Sequence, residues 1–224
     1  MPTPPASVDP ARRAVIRQGL SVGIATGLYG ISFGALGVAS GLTIWQTCVT
    51  SLLLFSGGSQ FALIGVLGGG GGVGAAIAAS SLLGVRNTLY GLQLTPTMQP
   101  RGLWRVPVAQ LTIDESTAVA IAQDTVPNRR LGFWVTGIAI YLGWNLTTLV
   151  GALVGDAIGD PKQYGLDAAA SGAFIALLWP RLKSRQPVAV AIAAAVVAAA
   201  LVPLVPVGIP VIAAAAVAAV CVPG

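Results

Sequence analysis

Long apolar runs separated by short polar or Gly/Pro-rich connections organise this chain. They fall at about 19–40, 44–67, 73–94, 106–123, 131–154, 166–180, 187–202 and 207–222. A helix that crosses a bilayer needs roughly 20 apolar residues. The pattern therefore predicts an all-α, polytopic membrane bundle of about seven to eight transmembrane helices. The run Gly68 to Gly72 predicts a flexible turn, and Pro96 and Pro180 close the third and sixth segments. The last two segments, rich in Ala and Val, are either two spans or one short helical hairpin.

Residues 1–18 read as a polar, cytoplasmic N-terminal arm with Arg12, Arg13 and Arg17, and residues 19–224 as one integral membrane domain. The first apolar run is too long for a signal-peptide core, so it is expected to remain as an uncleaved span.

Composition agrees. Of the 224 residues 55% are hydrophobic and only 8% charged, and the mean hydropathy is +0.82. A soluble domain carries roughly 25% charged residues, so this chain cannot cover a water-facing surface. The formal charge of +5 does not point to nucleic acid, because the basic residues sit in small clusters at the ends of apolar runs, as the positive-inside rule requires. Cys48 and Cys221 lie within apolar segments and read as small hydrophobes. With no histidine in the chain, no metal-ligand spacing exists, and no cofactor is expected.

The fourth segment, VPVAQLTIDESTAVAIAQ, is the least apolar, and charge topology bears on it. If all eight segments cross and the N-terminus is cytoplasmic, the inner face holds 8 Lys/Arg and the outer face 3. If the fourth alone fails to cross, the inner face holds 4 and the outer face 7. The positive-inside bias then predicts that the fourth segment crosses, and a segment that enters and returns fails the same test. A faint internal echo is also present. Gly34-Ala35-Leu36 recurs as Gly151-Ala152-Leu153, and Ser59-Gln60-Phe61 as Gly172-Ala173-Phe174, at offsets of 117 and 113. Transporters are often built from such repeats; coincidence among small residues is the competing account.

Three constellations carry candidate chemistry. In the second segment Phe55-Ser56-Gly57-Gly58-Ser59-Gln60-Phe61 interrupts an apolar run. Adjacent glycines each weaken a helix by about 1 kcal/mol relative to Ala. A break near Gly57-Gly58 would offer free backbone N–H groups to an anion, as discontinuous transporter helices do; tight packing through small residues is the alternative. In the first segment, Gly23, Gly27, Gly30, Gly34 and Gly37 recur at three- and four-residue spacing, which favours packing there.

Arg86-Asn87 lies about ten residues from the end of its segment, too deep for easy snorkelling. Its guanidinium fits either a substrate carboxylate or a neighbouring Asp or Glu. Asp114-Glu115 falls near the middle of the fourth segment. Read as a continuous helix, that segment puts Gln110, Asp114 and Thr117 on one face. Ionisable groups at membrane depth are costly and usually mark a transport path, and in a chain without histidine these carboxylates are the natural proton carriers. A static ion pair with Arg86 is the alternative. Asn145 reads as an amide that bridges helices.

The order GISFGALGVASG, SGGSQFALIGVL, LLGVRNTLYGLQLTP, LTIDESTAVA resembles the AzlC-type branched-chain amino acid permeases, the larger subunits of LIV-E or BrnF-type exporters. The resemblance covers roughly residues 15–180. The family's Ser-Gly-rich stretch ending in Gln-Phe is Ser56 to Phe61 here, and its Asp-Glu pair is Asp114-Glu115. Its Asn-x-Arg-His-type motif reads Gly84-Val85-Arg86-Asn87, so any role of the family's histidine is not carried over. The resemblance implies export of branched-chain or other neutral amino acids across the bacterial inner membrane. It also implies a small AzlD/BrnE-like membrane subunit as partner.

The expected function is thus a secondary transporter, proton-coupled through Asp114 or Glu115. Its substrate would be held at Ser56, Gly57, Gly58, Ser59 and Gln60, with Arg86 and Asn87 as further contacts. A passive channel, or a non-transporting scaffold subunit, are the other readings. No nucleophile constellation supports an enzyme.

Overall fold

The computed structural model describes residues 9–158, 175, 178–179, 182–205 and 209–221. Among them all regular structure is helical. The helices are α1 (Pro10–Leu28), α2 (Gly30–Ala39), α3 (Ile44–Leu53), α4 (Gly57–Gly68), α5 (Val73–Met98), α6 (Arg105–Gln110), α7 (Asp114–Ile121), α8 (Val126–Ile158), α9 (Arg185–Leu201) and α10 (Ile209–Cys221), with a 3-10 turn at Gly102–Trp104. Residues 10–39, hitched at Tyr29, and α8 are long and apolar enough to cross a membrane; α3, α4 and α9 are apolar but shorter. The sixth apolar segment falls almost wholly outside the described residues. α9 and α10 pack on each other, as a hairpin would.

The caps are legible in the sequence. Asp9 accepts from the Ala11 N–H at 3.0 Å, with Pro10 opening α1. Thr43 and Gln46 bond reciprocally at the start of α3, at 2.8 and 3.1 Å. α4 ends where Gly70 turns to φ +82° and the Gly71 N–H reaches back to the Val66 carbonyl.

The chain groups into two compact units: Met1–Gly30 with Arg86–Thr147, and Ile31–Val85 with Thr148–Gly224. In the first unit α1 packs along α8. Gly19 faces Thr136, Gly23 faces Ala139 and Gly27 faces Gly143. In the second unit Gly34 meets Thr148 and Ala152, and Gly151 meets Ile31. Residue numbers rise together in both units, so the paired helices run in the same direction. A side chain on Gly34 would run into the Thr148 carbonyl. Small residues allow this approach, as in small-xxx-small packing. α8 turns Thr136, Ile140, Thr148 and Ala152 inward and Leu142, Leu146 and Leu153 outward. Small and hydroxylated residues inside with leucines outside is the reverse of a soluble helix and suits lipid.

Each unit contains a broken helix pair that doubles back. In the second unit, Thr47 of α3 lies against Gly37 and Ser51 against Thr148, so α3 runs opposite to α2. After the break, Phe61 of α4 meets Phe33 and Gly68 meets Ser40, so α4 returns along α2. In the first unit, Trp104 stacks edge-on against Trp134, and Leu111 contacts Gly137. The chain then returns, with Val119 on Gly132 and Arg129 Nε donating to the Gln123 carbonyl at 2.8 Å. Arg130 Nε donates to the Thr97 carbonyl at 2.8 Å, so the end of α5 lies at the same level.

The fourth segment therefore doubles back on itself and is not the single continuous helix expected from charge. That expectation fixed the second segment as a span and varied the fourth alone. Both segments double back, and the charges then fall differently: Arg12, Arg13, Arg17, Arg101, Arg105, Arg129 and Arg130 gather at one end of the first unit. The connections 40–43 and 69–72 of the second unit carry no charge.

Candidate functional site

Both breaks have the same local construction. In the first, Ser56 N–H donates to the Leu54 carbonyl at 2.7 Å, closing a three-residue turn. In the second, Ile113 N–H donates to the Leu111 carbonyl at 3.1 Å. A side chain from the following helix then reaches back across each break. Gln60 Nε2 donates to the Ser51 carbonyl at 3.3 Å. Ser116 Oγ donates to the Leu111 carbonyl and accepts from the Ile113 N–H at 3.2 Å. The break expected near Gly57-Gly58 thus lies just before them, at residues 54–56, and the two glycines form the first turn of α4.

That first turn has backbone groups that can receive an anion. Ser56 caps α4 without a side-chain hydrogen bond. The N–H groups of Gly57, Gly58 and Ser59 have no intrahelical acceptor, and the helix dipole adds positive character there. Ser59 and Gln60 are fully buried, and Ser59 Oγ and Gln60 Oε1 have no protein hydrogen-bond partner among the described residues. A buried polar atom without a partner is costly, and these two have bonding capacity that a ligand or water can use. Around them, within the second unit, Phe33 and Phe61 meet edge to face with ring centroids 5.9 Å apart. Phe55 is also buried. Ser51 Oγ lies 3.3 Å from Thr148 Oγ1 beneath the break.

In the first unit, Arg86 Nη1 of α5 lies 3.0 Å from Asp114 Oδ2 of α7. Asp114 and Glu115 are the first two residues of α7, where the dipole favours negative charge. The break also overturns the expected face of Gln110, Asp114 and Thr117, because Gln110 ends α6 and Asp114 starts α7. Asp114 and Thr117 still share the first turn of α7. Arg86 Nε, Asn87 Oδ1 and Thr117 Oγ1 are buried without a protein partner among the described residues. Asn87 follows Arg86 on α5, and Thr117 lies one turn after Asp114 on α7.

Asn145 does not bridge helices through its amide nitrogen: Nδ2 donates within its own helix to the Tyr141 carbonyl at 2.7 Å. Cys48 is a free thiol. No cluster of metal-ligating residues occurs among the described residues. Sequence reasoning missed Ser116, the pin of the second break. Its Ser-x-x spacing from Ile113 gave a signal only once a break was assumed.

Residues 21–158 match the family model described as AzlC protein. The chain is 26% identical over 136 residues to the inner membrane protein YgaZ of Escherichia coli (strain K12). That match covers 57% of this chain and 54% of the relative, so the chain spans about half the length of the curated relative it matches. No solved structure matches.

Proposed function

The chain belongs to the AzlC family, a family of transport-related membrane proteins, and on that premise we propose that it is a secondary transporter of branched-chain or other neutral amino acids. The observation that carries this reading is the first turn of α4. Its free N–H groups and the buried, unpartnered Ser59 Oγ and Gln60 Oε1 fit a carboxylate together with its ammonium group. The N–H groups and Ser59 Oγ donate to the carboxylate, and Gln60 Oε1 accepts from the ammonium. Phe33, Phe55 and Phe61 supply apolar surface for an aliphatic side chain.

The first unit supplies the coupling. Protonation of Asp114 neutralises its carboxylate and releases Arg86. The freed guanidinium can then receive a carboxylate within its own unit, with Asn87 as the next residue on α5. Glu115, next in the same turn, is a second proton carrier. Export driven by the proton gradient, with a small AzlD/BrnE-like subunit as partner, completes the proposal.

The proposed topology keeps the N-terminus cytoplasmic. The seven arginines at one end of the first unit support it through the positive-inside rule. Non-helical backbone at membrane depth is tolerated where it lines a cavity, and both breaks then become re-entrant turns.

The test compares leucine with leucinol, which lacks the carboxylate. Leucine is expected to raise the unfolding temperature of the purified protein in a saturable manner, and leucinol is not. Equal effects of the two, or none from any neutral amino acid, contradict the reading.

A further inference from the structure

A cleft of about 590 Å³ opens in the first unit where the α5–α6 connection folds over the start of α8. We propose that it is a binding site for an anionic phospholipid. Arg101 and Arg130 supply the charge, and Trp104, Trp134, Val108 and Ile138 line the rest.

The cleft is built rather than incidental. Arg130 is anchored through Nε to the Thr97 carbonyl at 2.8 Å, which leaves its terminal nitrogens for an anion. Trp134 is held edge-on between Trp104 and Phe133, with ring centroids 6.2 and 5.4 Å away. The connection over it turns through two positive-φ residues, Gln99 at 46° and Gly102 at 54°. A glutamine in that region is strained, and such strain collects at ligand-holding positions.

The chemistry selects the occupant. Two guanidiniums suit a phosphodiester. Indoles sit at the level of lipid headgroups. Val108 and Ile138 extend the wall with surface for an acyl chain. Trp104 is 68% exposed and Leu103 89%, so the rim presents apolar groups outward, as contact with a bilayer requires. The same end of this unit carries Arg12, Arg13, Arg17, Arg105 and Arg129, and basic clusters beside membrane helices attract anionic lipid. A soluble phosphate shares the headgroup chemistry but leaves the apolar wall unused.

The experiment is tryptophan quenching in vesicles of phosphatidylcholine, doped with brominated phosphatidylglycerol or, separately, brominated phosphatidylcholine. Stronger quenching by the phosphatidylglycerol is expected. The difference should vanish in Trp104→Phe/Trp134→Phe. It should weaken about fivefold in apparent affinity for each arginine removed, in Arg101→Gln and in Arg101→Gln/Arg130→Gln. The single variant tests the site without touching the Arg130 anchor, and Arg12→Gln should leave the preference in place. Equal quenching by the two lipids overturns the proposal, as does a preference that survives in both arginine variants. Abolition of the preference by inorganic phosphate alone assigns the cleft to a soluble anion and overturns it too. None of these outcomes depends on the transport reading.

Discussion

Arg86 and Asp114 form an ion pair at 3.0 Å that ties the middle of α5 to the first turn of α7. Their side chains are 29% and 24% exposed, so the pair is neither a surface contact nor fully sealed. Removing one partner of a buried pair costs about 3–5 kcal/mol, and partial exposure lowers this to about 2 kcal/mol. Arg86→Gln and Asp114→Asn should each lower the unfolding temperature in detergent. The double variant should recover most of the loss, because it leaves no lone charge. If the double variant is as unstable as the sum of the singles, the pair is not the interaction that matters.

The doubled-back path of the fourth segment predicts which residues share a side of the membrane. Single cysteines at positions 100 and 124, in a background with the native cysteines replaced, should react with an impermeant reagent from the same side. Cysteines at 41 and 70 should likewise share one side with each other. Labelling of 100 and 124 from opposite sides restores a crossing helix and removes the re-entrant reading.

Glycine packing separates positions by their neighbours. At Gly34 an added methyl meets the Thr148 carbonyl and, at 2.6 Å, the Ala152 nitrogen; at Gly91 it meets nothing within 4 Å. Gly34→Ala should destabilise by about 1–3 kcal/mol through overpacking. Gly91→Ala, within α5, should be neutral or stabilising by up to about 1 kcal/mol through helix propensity. Thermal unfolding of the two variants side by side checks the contact register of α2 and α8.

Much of this architecture is legible in the sequence, and the parts that are not have physical causes. Hydropathy and the glycine stripe locate the helices, and the Gly57-Gly58 interruption locates the first break to within a residue or two. The second break leaves no such mark. Leu111-Thr112-Ile113 has ordinary helix or strand formers and no glycine or proline, and the turn depends on Ser116 reaching back to it. Direction is invisible to hydropathy as well. A broken apolar run of 25 residues reads the same whether it crosses or returns, and only contacts such as Gly68 with Ser40 distinguish the two. The candidate site residues stand out by their chemistry and by the family resemblance, neither of which gives spacing in three dimensions. The structure brings Arg86 to Asp114 and sets Ser59 and Gln60 in the first turn of α4.

The N–H groups of α4 can be removed one at a time. Gly57 opens the helix, where proline is well tolerated, and Ser56 before it is extended (φ −156°, ψ 104°), as a residue preceding proline prefers. Gly57→Pro should therefore keep the helix and delete one donor. A hydrogen bond to a charged group contributes about 1.5–3 kcal/mol, so the KM for leucine should rise roughly 10- to 100-fold with maximal flux little changed. An unchanged KM removes the Gly57 N–H from the site.

The central claim is a carrier whose proton coupling runs through Asp114. It is tested most directly by flux of labelled leucine in proteoliposomes containing the chain and its small membrane partner. The account predicts saturable counterflow in the wild type and net flux driven by a proton gradient. In Asp114→Asn it predicts loss of gradient-driven flux while counterflow persists. Non-saturable flux without counterflow, or gradient-driven flux that is unchanged in both Asp114→Asn and Glu115→Gln, contradicts it.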